Sequence, residues 1–523
     1  MLTAMGDSEG ALQHLVETRL LDYVVNTVLL TAGVTMIATV VGVSTAWIVT
    51  EHDFPGRRIV SWALIVPLAV PSYIAAYAMA DLLQFSGPVQ TWMRGAARLT
   101  RNEYWFPNIR SLGGACFILG FGLYPYVYLA ARAAFAEQSR AYYEAGLVLG
   151  HGPLRSVLRI VVPIARPAIV AAVLLVVMET VGEFGAVQHC GVDTFATGIY
   201  RTWIGLGSLT AAAQLSMIAL AGIAIVILVD ALNRRGLAFH NATVRGVHRH
   251  RRPLGRAVGT GTLLVCAAPV LCGAVVPVAY LALLAARADA VSTLVDHTRN
   301  TALVAAAAAT LAVCLGVVLA YAPRISRRAK AGAARDLCRL GYAIPGPIVA
   351  IGVLVSLAAF DRLADRVFVG VLGSGAEARL WMSGTVVALL LAYQTRFLSI
   401  AISMIDGGFL RQKPSIADAC ATLGVGPFRA LTRVHLPAMK VSLLVAGLLV
   451  FVDVAKELPA TLILRPFNFD TIAVRVYHLA ADERLEQAAP GALVLVALGF
   501  VAIVVLHLVI ERQPTQRATR DDV

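Results

Sequence analysis

The stretch KPSIADACATLGVGPFRALTRVHLP, residues 413–437, is polar, basic and interrupted by glycine and proline, and it lies between two long apolar runs. A related stretch, SRAYYEAGLVLGHGPLRSVLRIVVP, occupies residues 139–163. When the sequence is shifted by 274 residues, eight of the twenty residues 144–163 are identical to their counterparts in 418–437. A chain that is otherwise apolar therefore contains one polar segment twice, and the surroundings of the two copies indicate the fold.

The composition is that of an integral membrane protein. Of 523 residues, 58% are hydrophobic and only 14% are charged, whereas a soluble protein would have about a quarter charged residues. Many apolar runs reach 20 residues, long enough to cross about 30 Å of hydrocarbon as a helix. Because backbone groups in lipid must bond within the protein, these runs, which show no alternation of polar and apolar residues, predict an all-α polytopic helical bundle.

The sequence predicts eleven membrane-spanning helices. Their approximate limits are 24–49, 59–83, 112–134, 167–189, 209–232, 257–285, 301–322, 338–360, 380–405, 441–463 and 489–510. One alternating set of loops, which includes both polar copies and the C-terminal tail, holds 26 of the 44 lysines and arginines. Lysine and arginine accumulate in cytoplasmic loops, so we expect this set to be cytoplasmic in a multi-pass protein of the cell (inner) membrane. The same rule explains the net charge of +13 better than nucleic-acid binding does, because no basic segment is interleaved with aromatic residues.

The repeat extends well beyond the polar segment. The same shift relates Asn26-Thr27 to Asn300-Thr301, Gly42 to Gly316, Pro71 to Pro345, Glu183 to Glu457 and, with three more residues inserted, Asp193-Thr194 to Asp470-Thr471. The chain is therefore predicted to be a tandem of two homologous halves, residues 1–235 and 257–523, joined by a basic linker at 236–256. An even number of spans fits within one period, so the halves have the same orientation.

The two predicted halves differ at their start. The second half has a leading span, 257–285, before its Asn300-Thr301, and the first half has no counterpart before Asn26-Thr27. Two explanations remain open at this stage, namely that one span is missing or that the start of the sequence as given is too late.

Each polar copy is predicted to form a helix–turn–helix. A short helix runs over 139–149 or 415–423, with Ser415 as a plausible N-cap. Gly150 and Gly424 stand where a helix C-terminus favours a left-handed residue, and the Gly-Pro pairs that follow them start a second helix. The alternative is an amphipathic hairpin that only packs on the spans, but two copies in the same register favour a functional role.

The two copies resemble the EAA loop of the permease subunits of binding-protein-dependent ABC importers. The resemblance lies in a short acid-Ala-small signature, a glycine four residues after its last member, and a terminal proline, at Glu144–Pro163 and Asp418–Pro437. It implies a type I importer permease whose loops dock on an ATPase dimer, one subunit meeting Glu144, Ala145, Gly146 and Gly150 and the other meeting Asp418, Ala419, Cys420 and Gly424. Asp418, Gly146 and Cys420 depart mildly from the family pattern, so the second docking site is the less typical of the two.

The chain has no phosphate-binding loop of the form G-x-x-x-x-G-K-[ST], so it is not expected to hydrolyse ATP or to be an enzyme. The resemblance implies that ATP and Mg²⁺ bind to the partner ATPase, and that an extracytoplasmic binding protein delivers the substrate. The seven cysteines are scattered without metal-ligand spacing, so no metal site and no bound cofactor are predicted.

The substrate is indicated only by resemblance. Fused permeases of this size resemble iron(III) and thiamine importers, and the segments 178–205 and 453–490 look most like the iron(III) branch. Thiamine or another small solute remains an alternative. A secondary transporter driven by an ion gradient is a further one, although parallel halves are less typical of that class.

Charged residues within the apolar spans are candidates for a translocation path. Glu179 lies twelve residues after Pro167, about 18 Å along a helix, and Glu183 follows one turn later. Asp453, Lys456 and Glu457 stand at matching depth in the second half. Charges in a membrane are costly and indicate function, so the four acidic residues are predicted to line a cation-tolerant path. The alternative is an internal Asp453–Lys456 or Lys456–Glu457 pair that locks the two halves together.

Two Asp-Thr pairs lie on predicted outer segments. Asp193 and Thr194 in the first half, and Asp470 and Thr471 in the second, are candidates for contact with the binding protein. A capping or turn role is equally consistent with these residue types.

Overall fold

The computed structural model describes residues 10–100, 103–138, 140–234, 251–288, 294–325, 329–372 and 381–511. These residues form two compact units. The first unit contains the described residues of Met1–Ala288 together with Ala480–Leu493, and the second contains those of Asp289–Leu479 and Val494–Val523. Among the described residues, the only strands are β1 (His52–Asp53) and β2 (Arg252–Pro253), which pair in parallel within the first unit.

The helices up to residue 285 belong to the first unit. They are α1 Ala11–Thr18, α2 Leu20–Glu51, α3 Arg57–Ala63, α4 Ser72–Leu83, α5 Pro88–Ala97, α6 Leu112–Glu137, α7 Arg140–Val148, α8 Pro153–Ser156, α9 Val162–Gly182, α10 Gly185–His189, α11 Phe195–Ile204, α12 Leu209–Arg234, α13 Arg256–Val270 and α14 Val276–Ala285. A π-helical turn, Leu271–Val275, joins α13 to α14.

The later helices follow the same order. They are α15 Leu294–Ile325, α16 Ala329–Arg339, α17 Gly346–Leu372, α18 Val386–Leu410, α19 Pro414–Thr422, α20 Pro427–Ala430, α21 Leu436–Ala438, α22 Lys440–Lys456, α23 Pro459–Leu464, α24 Ile472–Ala481 and α25 Leu485–Glu511. The last residues of α24 and the first part of α25 group with the first unit, and the rest of both helices groups with the second.

Each unit is built around three mutually packed helices. In the first unit α2 packs along α6, and both pack on α9. In the second unit α15, α18 and α22 pack in the same way. These are the helices that the 274-residue shift relates, so the sequence repeat is also a repeat of the core. The predicted fold class, a helical membrane bundle with two homologous halves, is therefore confirmed.

The predicted spans 59–83 and 338–360 each contain a proline, Pro71 or Pro345, which predicts a kink, and each span is interrupted at that proline. The segments Arg57–Ala69 and Ser72–Ala97 are bent by 95° at a break. A short 3-10 turn, Val66–Ala69, precedes Pro71 in the first unit, and its counterpart Leu340–Ala343 precedes Pro345 in the second. Proline has no N–H to continue a helical ladder, so each proline ends one helical segment and the next begins directly after it.

All eleven predicted spans coincide with a helix or a bent helix pair. Within the part of the chain that the structure describes, eight helices are long and apolar enough to cross a membrane, and up to ten spans result if each of two bent pairs counts as one. The second bent pair, Pro427–Ala438 with Lys440–Lys456, turns by 78° where the chain leaves the second polar segment. The remaining predicted span, 209–232, corresponds to α12, whose described apolar part is shorter.

The leading span of the second sequence half packs in the first unit. Helix α13 contacts α2 and α3, helix α14 contacts α4, and the π-helical turn between them contacts α6. The main chain approaches closely there, because a Cβ at Gly273 would lie 2.3 Å from the carbonyl oxygen of Phe121. The boundary between the compact units therefore falls after Ala288, not in the linker at 236–256 where the repeat divides the sequence.

Two glycines related by the repeat permit the central helices to approach each other. A Cβ at Gly42 of α2 would lie 2.7 Å from the Cβ of Val127 and 2.9 Å from the backbone nitrogen of Tyr128 on α6. A Cβ at Gly316 of α15 would lie 2.9 Å from Cδ1 of Ile405 on α18. The first contact is with main chain, which cannot move aside, and the second is with the end of a flexible side chain.

We therefore expect Gly42→Ala to destabilise the protein by about 1–3 kcal/mol, as overpacking does, and Gly316→Ala to have a smaller effect. The measurement is thermal unfolding of the detergent-solubilised chain. Gly222→Ala is the matched control, since a Cβ there would have no neighbour within 4 Å. Equal changes of the unfolding temperature in Gly42→Ala and Gly222→Ala would show that the close approach of α2 and α6 does not limit stability.

Candidate functional site

The two polar segments form the predicted hairpins with the same backbone geometry. Gly150 and Gly424, just after α7 and α19, have φ angles of +80° and +70°. The His151 N–H donates to the Gly146 carbonyl at 3.0 Å, and the Val425 N–H donates to the Cys420 carbonyl at 2.9 Å. These bonds, which span five residues, close the helix C-terminus in a Schellman motif, so the left-handed glycines are confirmed in both copies.

The predicted N-cap at Ser415 is wrong. The second short helix begins at Pro414, with Lys413 in the capping position and no capping bond from a side chain. Proline suits the first helical position because its missing N–H would have no partner there in any case. Ser415 therefore lies inside the first turn.

The second arms of the two hairpins, which follow the glycine turns, also have the same sequence of helical elements. Pro153 and Pro427 begin α8 and α20, and each arm continues into a π-helical turn, Val157–Val161 in the first hairpin and Leu431–His435 in the second. The side-chain amide of Gln138 donates to the Val161 carbonyl at 3.3 Å. Gln412, exactly one shift later in the sequence, donates to the His435 carbonyl at 3.1 Å. Sequence reasoning missed this glutamine pair, although the repeat alignment contains it.

An aromatic pair supports the base of each hairpin. The rings of Trp47 and Phe135 have centroids 5.6 Å apart, edge to face. At the related positions, the rings of Tyr321 and Phe409 are stacked at 5.8 Å, and the Tyr321 hydroxyl donates to the Pro427 carbonyl at 3.0 Å. In the first unit the ring of Tyr143 on α7 packs against Trp47, with centroids 5.3 Å apart, so each hairpin is attached to the central helices of its own unit.

The predicted coupling residues divide into two groups by burial. The acids and alanines, namely Glu144, Ala145, Asp418 and Ala419, are exposed on the short helices. Gly146 and Cys420 are buried instead. A Cβ at Gly146 would lie 2.7 Å from Oγ of Ser156, so this position must be small for the two arms to pack. The third position of the signature therefore serves the hairpin itself and does not offer a surface to a partner.

Sequence reasoning missed four exposed apolar side chains at the hairpin turns. Leu149 and Leu423, one shift apart, are 74% and 79% exposed. Leu154 and Phe428, also one shift apart, are 71% and 75% exposed. An exposed apolar residue retained at the same place in both copies, next to a glycine turn, is the signal that could have revealed them.

The core helices α9 and α22 end at matching breaks, and a glutamate follows each of them. The Glu457 side chain is almost fully buried, and its carboxylate accepts from the backbone N–H groups of Ala460 and Thr461 at 3.1 and 3.0 Å and from the Thr461 hydroxyl at 2.9 Å. The Arg396 guanidinium contacts the same carboxylate at 3.2 Å. Glu183 accepts from the Ala186 N–H at 3.0 Å in the equivalent position. Both glutamates thus cap the short helix after the break.

The other charged residues of the predicted path lie on the last turns of these helices. Asp453 and Lys456 form an ion pair at 3.2 Å and are each about a quarter exposed. The carboxylate of Glu457 contacts Arg396, which the sequence analysis did not single out. Glu179 is half-buried near the end of α9. One of the two internal pairs considered from the sequence, Asp453–Lys456, is therefore present.

The repeated Asn-Thr and Asp-Thr pairs form a clasp in each unit. The Asn26 amide donates to the Asp193 carbonyl at 3.0 Å, and the Asn300 amide donates to the Asp470 carbonyl at 3.3 Å. The hydroxyls of Thr27 and Thr301 accept from the backbone N–H groups that follow the Asp-Thr pairs, at 3.3 and 2.9 Å. The clasp ties the loop after each break to the start of the long helix α2 or α15.

The side chains of the Asp-Thr pairs are also used within the chain. At the start of α11, the Thr194 N–H donates to the Thr197 hydroxyl at 2.9 Å. Asp193 pairs with Arg201, and Asp470 pairs with Arg465. Thr471 is buried, and its hydroxyl accepts weakly from the Val474 N–H at 3.4 Å. A capping role is thus observed. Within the described residues, no group of three or more His, Cys, Asp or Glu side chains is arranged to hold a metal ion.

Known proteins with related sequences are membrane transport subunits. Residues 38–236 match the family described as the binding-protein-dependent transport system inner membrane component. The Fe(3+)-transport system permease protein FbpB 2 of Haemophilus influenzae is 24% identical over 505 residues, which cover 95% of this chain and 91% of that protein.

Shorter relatives match a smaller part of the chain. The sulfate transport system permease protein CysT of Escherichia coli is 31% identical over 148 residues, 28% of this chain and 50% of that protein. A probable molybdenum ABC transporter permease protein of Haloferax volcanii is 29% identical over 202 residues, 38% of this chain and 70% of that protein. The chain thus spans about half the length of the sulfate relative.

We expect Arg396→Gln to destabilise the second unit by about 3–5 kcal/mol, because it removes the cation beside a buried carboxylate. Lys456→Gln is the matched control, since the more exposed pair with Asp453 contributes at most about 1 kcal/mol. The measurement is again thermal unfolding in detergent. If both variants unfold at the same temperature, the buried pair does not stabilise the break.

Proposed function

We propose that the chain, of which residues 38–236 match the binding-protein-dependent transport system inner membrane component family, forms the membrane path of an ATP-driven importer whose two hairpins each dock on one ATPase subunit. The observation that carries this proposal is the identical construction of the hairpins, from the left-handed glycines to the glutamines that bond the π turns. A two-fold ATPase dimer presents two equivalent sites, and one chain that builds the same hairpin twice can occupy both.

The proposed orientation puts the hairpins and the C-terminus in the cytoplasm. It rests on the concentration of lysine and arginine in the loops on that side. ATP and Mg²⁺ would bind to the partner ATPase, and this chain would contribute no cofactor. An extracytoplasmic binding protein would approach the opposite side, where Asp193, Thr194, Asp470 and Thr471 are candidate contacts.

The hairpin surface suggests what an ATPase groove would meet. Glu144 and Asp418 are exposed on the short helices, and the apolar side chains of Leu149 and Leu423 extend from the turns. Leucines that lose contact with water in a docked complex would contribute affinity through apolar burial, and the acids would supply orientation. We propose that the leucines anchor the docked hairpins.

We expect the double variant Leu149→Asp/Leu423→Asp to lose co-purification with the ATPase, because a carboxylate would have to be buried in the contact. Each single variant should weaken assembly by about tenfold or more, because one carboxylate would still have to be buried in its contact. Leu206→Asp is the control, since Leu206 is 60% exposed in a loop on the other side. Undiminished assembly of the double variant would exclude the leucines from the contact.

We propose iron(III) as the substrate. The Fe(3+) relative covers nearly the whole chain, and acidic residues stand at the end of the core helices α9 and α22, where a cation could pass. Of the candidate path residues, Glu457 is occupied by capping bonds and Arg396, and Asp453 is paired with Lys456. Glu179, Glu183, Asp453 and Glu457 all stay candidate path residues, and Glu179, at the end of the core helix α9, is the one chosen for the test.

We expect Glu179→Gln to lower iron(III) uptake by about tenfold, equivalent to about 1.4 kcal/mol on the transport barrier, while assembly with the ATPase is retained. Glu103→Gln is the matched control, because it makes the same Glu-to-Gln change at an exposed acid outside the candidate path. The measurement is uptake of radiolabelled iron(III) into cells or vesicles that carry the complete transporter. Uptake at the unaltered rate in Glu179→Gln would remove this residue from the path.

A second candidate substrate class is an oxyanion, because sulfate and molybdenum permeases match part of the chain. Thiamine or another small solute also remains a candidate on family resemblance. Uptake assays with iron(III), thiamine, sulfate and molybdate distinguish these substrates. Uptake that continues without the ATPase but stops when the ion gradient is dissipated would identify an ion-coupled secondary transporter instead.

A further inference from the structure

Two basic stretches that are distant in the sequence meet in the first unit. One is PGRR, residues 55–58, and the other is RRPLGR, residues 251–256. The strands β1 and β2 pair with His52 opposite Arg252 and Asp53 opposite Pro253. The Leu254 N–H then donates to the Asp53 carbonyl at 3.0 Å. Backbone bonds therefore fix the two stretches beside each other.

Helix packing holds the same junction. A Cβ at Gly259 of α13 would lie 3.0 Å from Cδ of Pro55. A Cβ at Gly56 would lie 3.3 Å from Cδ1 of Leu263 on the same helix. The start of α13 and the turn before α3 thus approach to contact distance, which puts the arginines of both stretches at one corner of the unit.

The arginine corner, which we define as Arg57, Arg58, Arg251, Arg252 and Arg256, has more positive than negative charge. Asp53 is the one acidic residue within the two stretches and the pairing strands, and it pairs with Arg57 at 3.4 Å. Arg57 also donates to the Val49 carbonyl at 3.3 Å. Arg58, Arg251 and Arg256 are exposed. Guanidinium groups in such a cluster match the geometry of a phosphate group.

Apolar side chains adjoin these exposed arginines. Ile59 follows Arg58 and is 76% exposed, and Val258 on the first turn of α13 is 63% exposed. Leu264 and Val265 continue the exposed apolar surface farther along this candidate membrane helix. A water-soluble partner could pair with the arginines but would leave this aliphatic surface uncovered. A lipid supplies both a phosphate and acyl chains.

We propose that the arginine corner binds the headgroup of an anionic phospholipid of the cytoplasmic leaflet. This inference rests on the orientation given under the proposed function. The bound lipid would lie next to the first hairpin, because the Arg252 guanidinium stands over the ring of Tyr143 on α7, 5.2 Å from its centroid. The Tyr143 ring in turn packs against Trp47, with centroids 5.3 Å apart.

The test titrates the detergent-solubilised full chain with phosphatidylglycerol and, separately, with phosphatidylcholine, and follows thermal unfolding and retained lipid by native mass spectrometry. The variant is Arg58→Gln/Arg251→Gln/Arg256→Gln. Each basic residue near an anionic lipid contributes to binding, so we expect the affinity for phosphatidylglycerol to fall at least about tenfold. Phosphatidylcholine should bind weakly to both proteins, and added salt should weaken phosphatidylglycerol binding to the unaltered chain.

The matched control is Arg98→Gln/Arg287→Gln/Arg484→Gln, which removes three exposed arginines outside the corner. Equal losses in the two triple variants, or equal affinity of the unaltered chain for both lipids, would overturn the proposal. If the corner variant does not fold, the unaltered chain still tests the proposal, because its affinities for phosphatidylglycerol and phosphatidylcholine can be compared. A corner variant that keeps its lipid affinity but loses the ATPase would assign the surface to the partner protein. Lipid binding is measured on the isolated chain, without the ATPase and without an uptake assay. A negative result would therefore contradict the lipid site and leave the proposed transport function to its own tests.

Discussion

The unpaired backbone N–H groups at the breaks after α9 and α22 constrain the rest of the structure. Hydrocarbon supplies no water to such groups, so each break needs an acceptor from the protein. Glu183 and Glu457 supply it at equivalent positions. A carboxylate brings its own cost of burial, and in the second unit Arg396 and the Thr461 hydroxyl offset that cost. A charge that would first suggest transport thus also has a structural reason to be there.

The halves share a backbone and differ in the side chains that support it. The position of Arg396 is taken by Gly122 in the first half, and that of Thr461 is taken by Val187. The hairpins show the same relation, since Gly146 packs against Ser156 where the second copy has Cys420 and Ala430. The two halves therefore share the course of the backbone, but different side chains fill the equivalent positions in each half.

The sequence predicted those features that depend on local residues. Helical spans follow from apolar runs, and the left-handed turns follow from Gly150 and Gly424. It predicted a kink at Pro71 but not a bend as large as 95°, because a proline in an apolar run does not fix the angle between the helical segments on either side. Arg396 was missed because its partner is 61 residues away along the chain and the repeat has no arginine at the related position. Ser415 was misassigned because the preceding proline competes for the helix start.

The first unit combines segments from distant parts of the sequence, and this affects the order in which the protein can fold during synthesis. That unit is closed by α13 and α14 and by the segment Ala480–Leu493, which the ribosome makes almost last. Domains usually fold in the order of their synthesis, from the N-terminus onward. Here the N-terminal helices must stay in the bilayer with part of their packing surface unfilled until nearly the whole chain has been inserted. The first unit to be translated is therefore among the last parts of the protein to be completed, and truncated chains would leave it open.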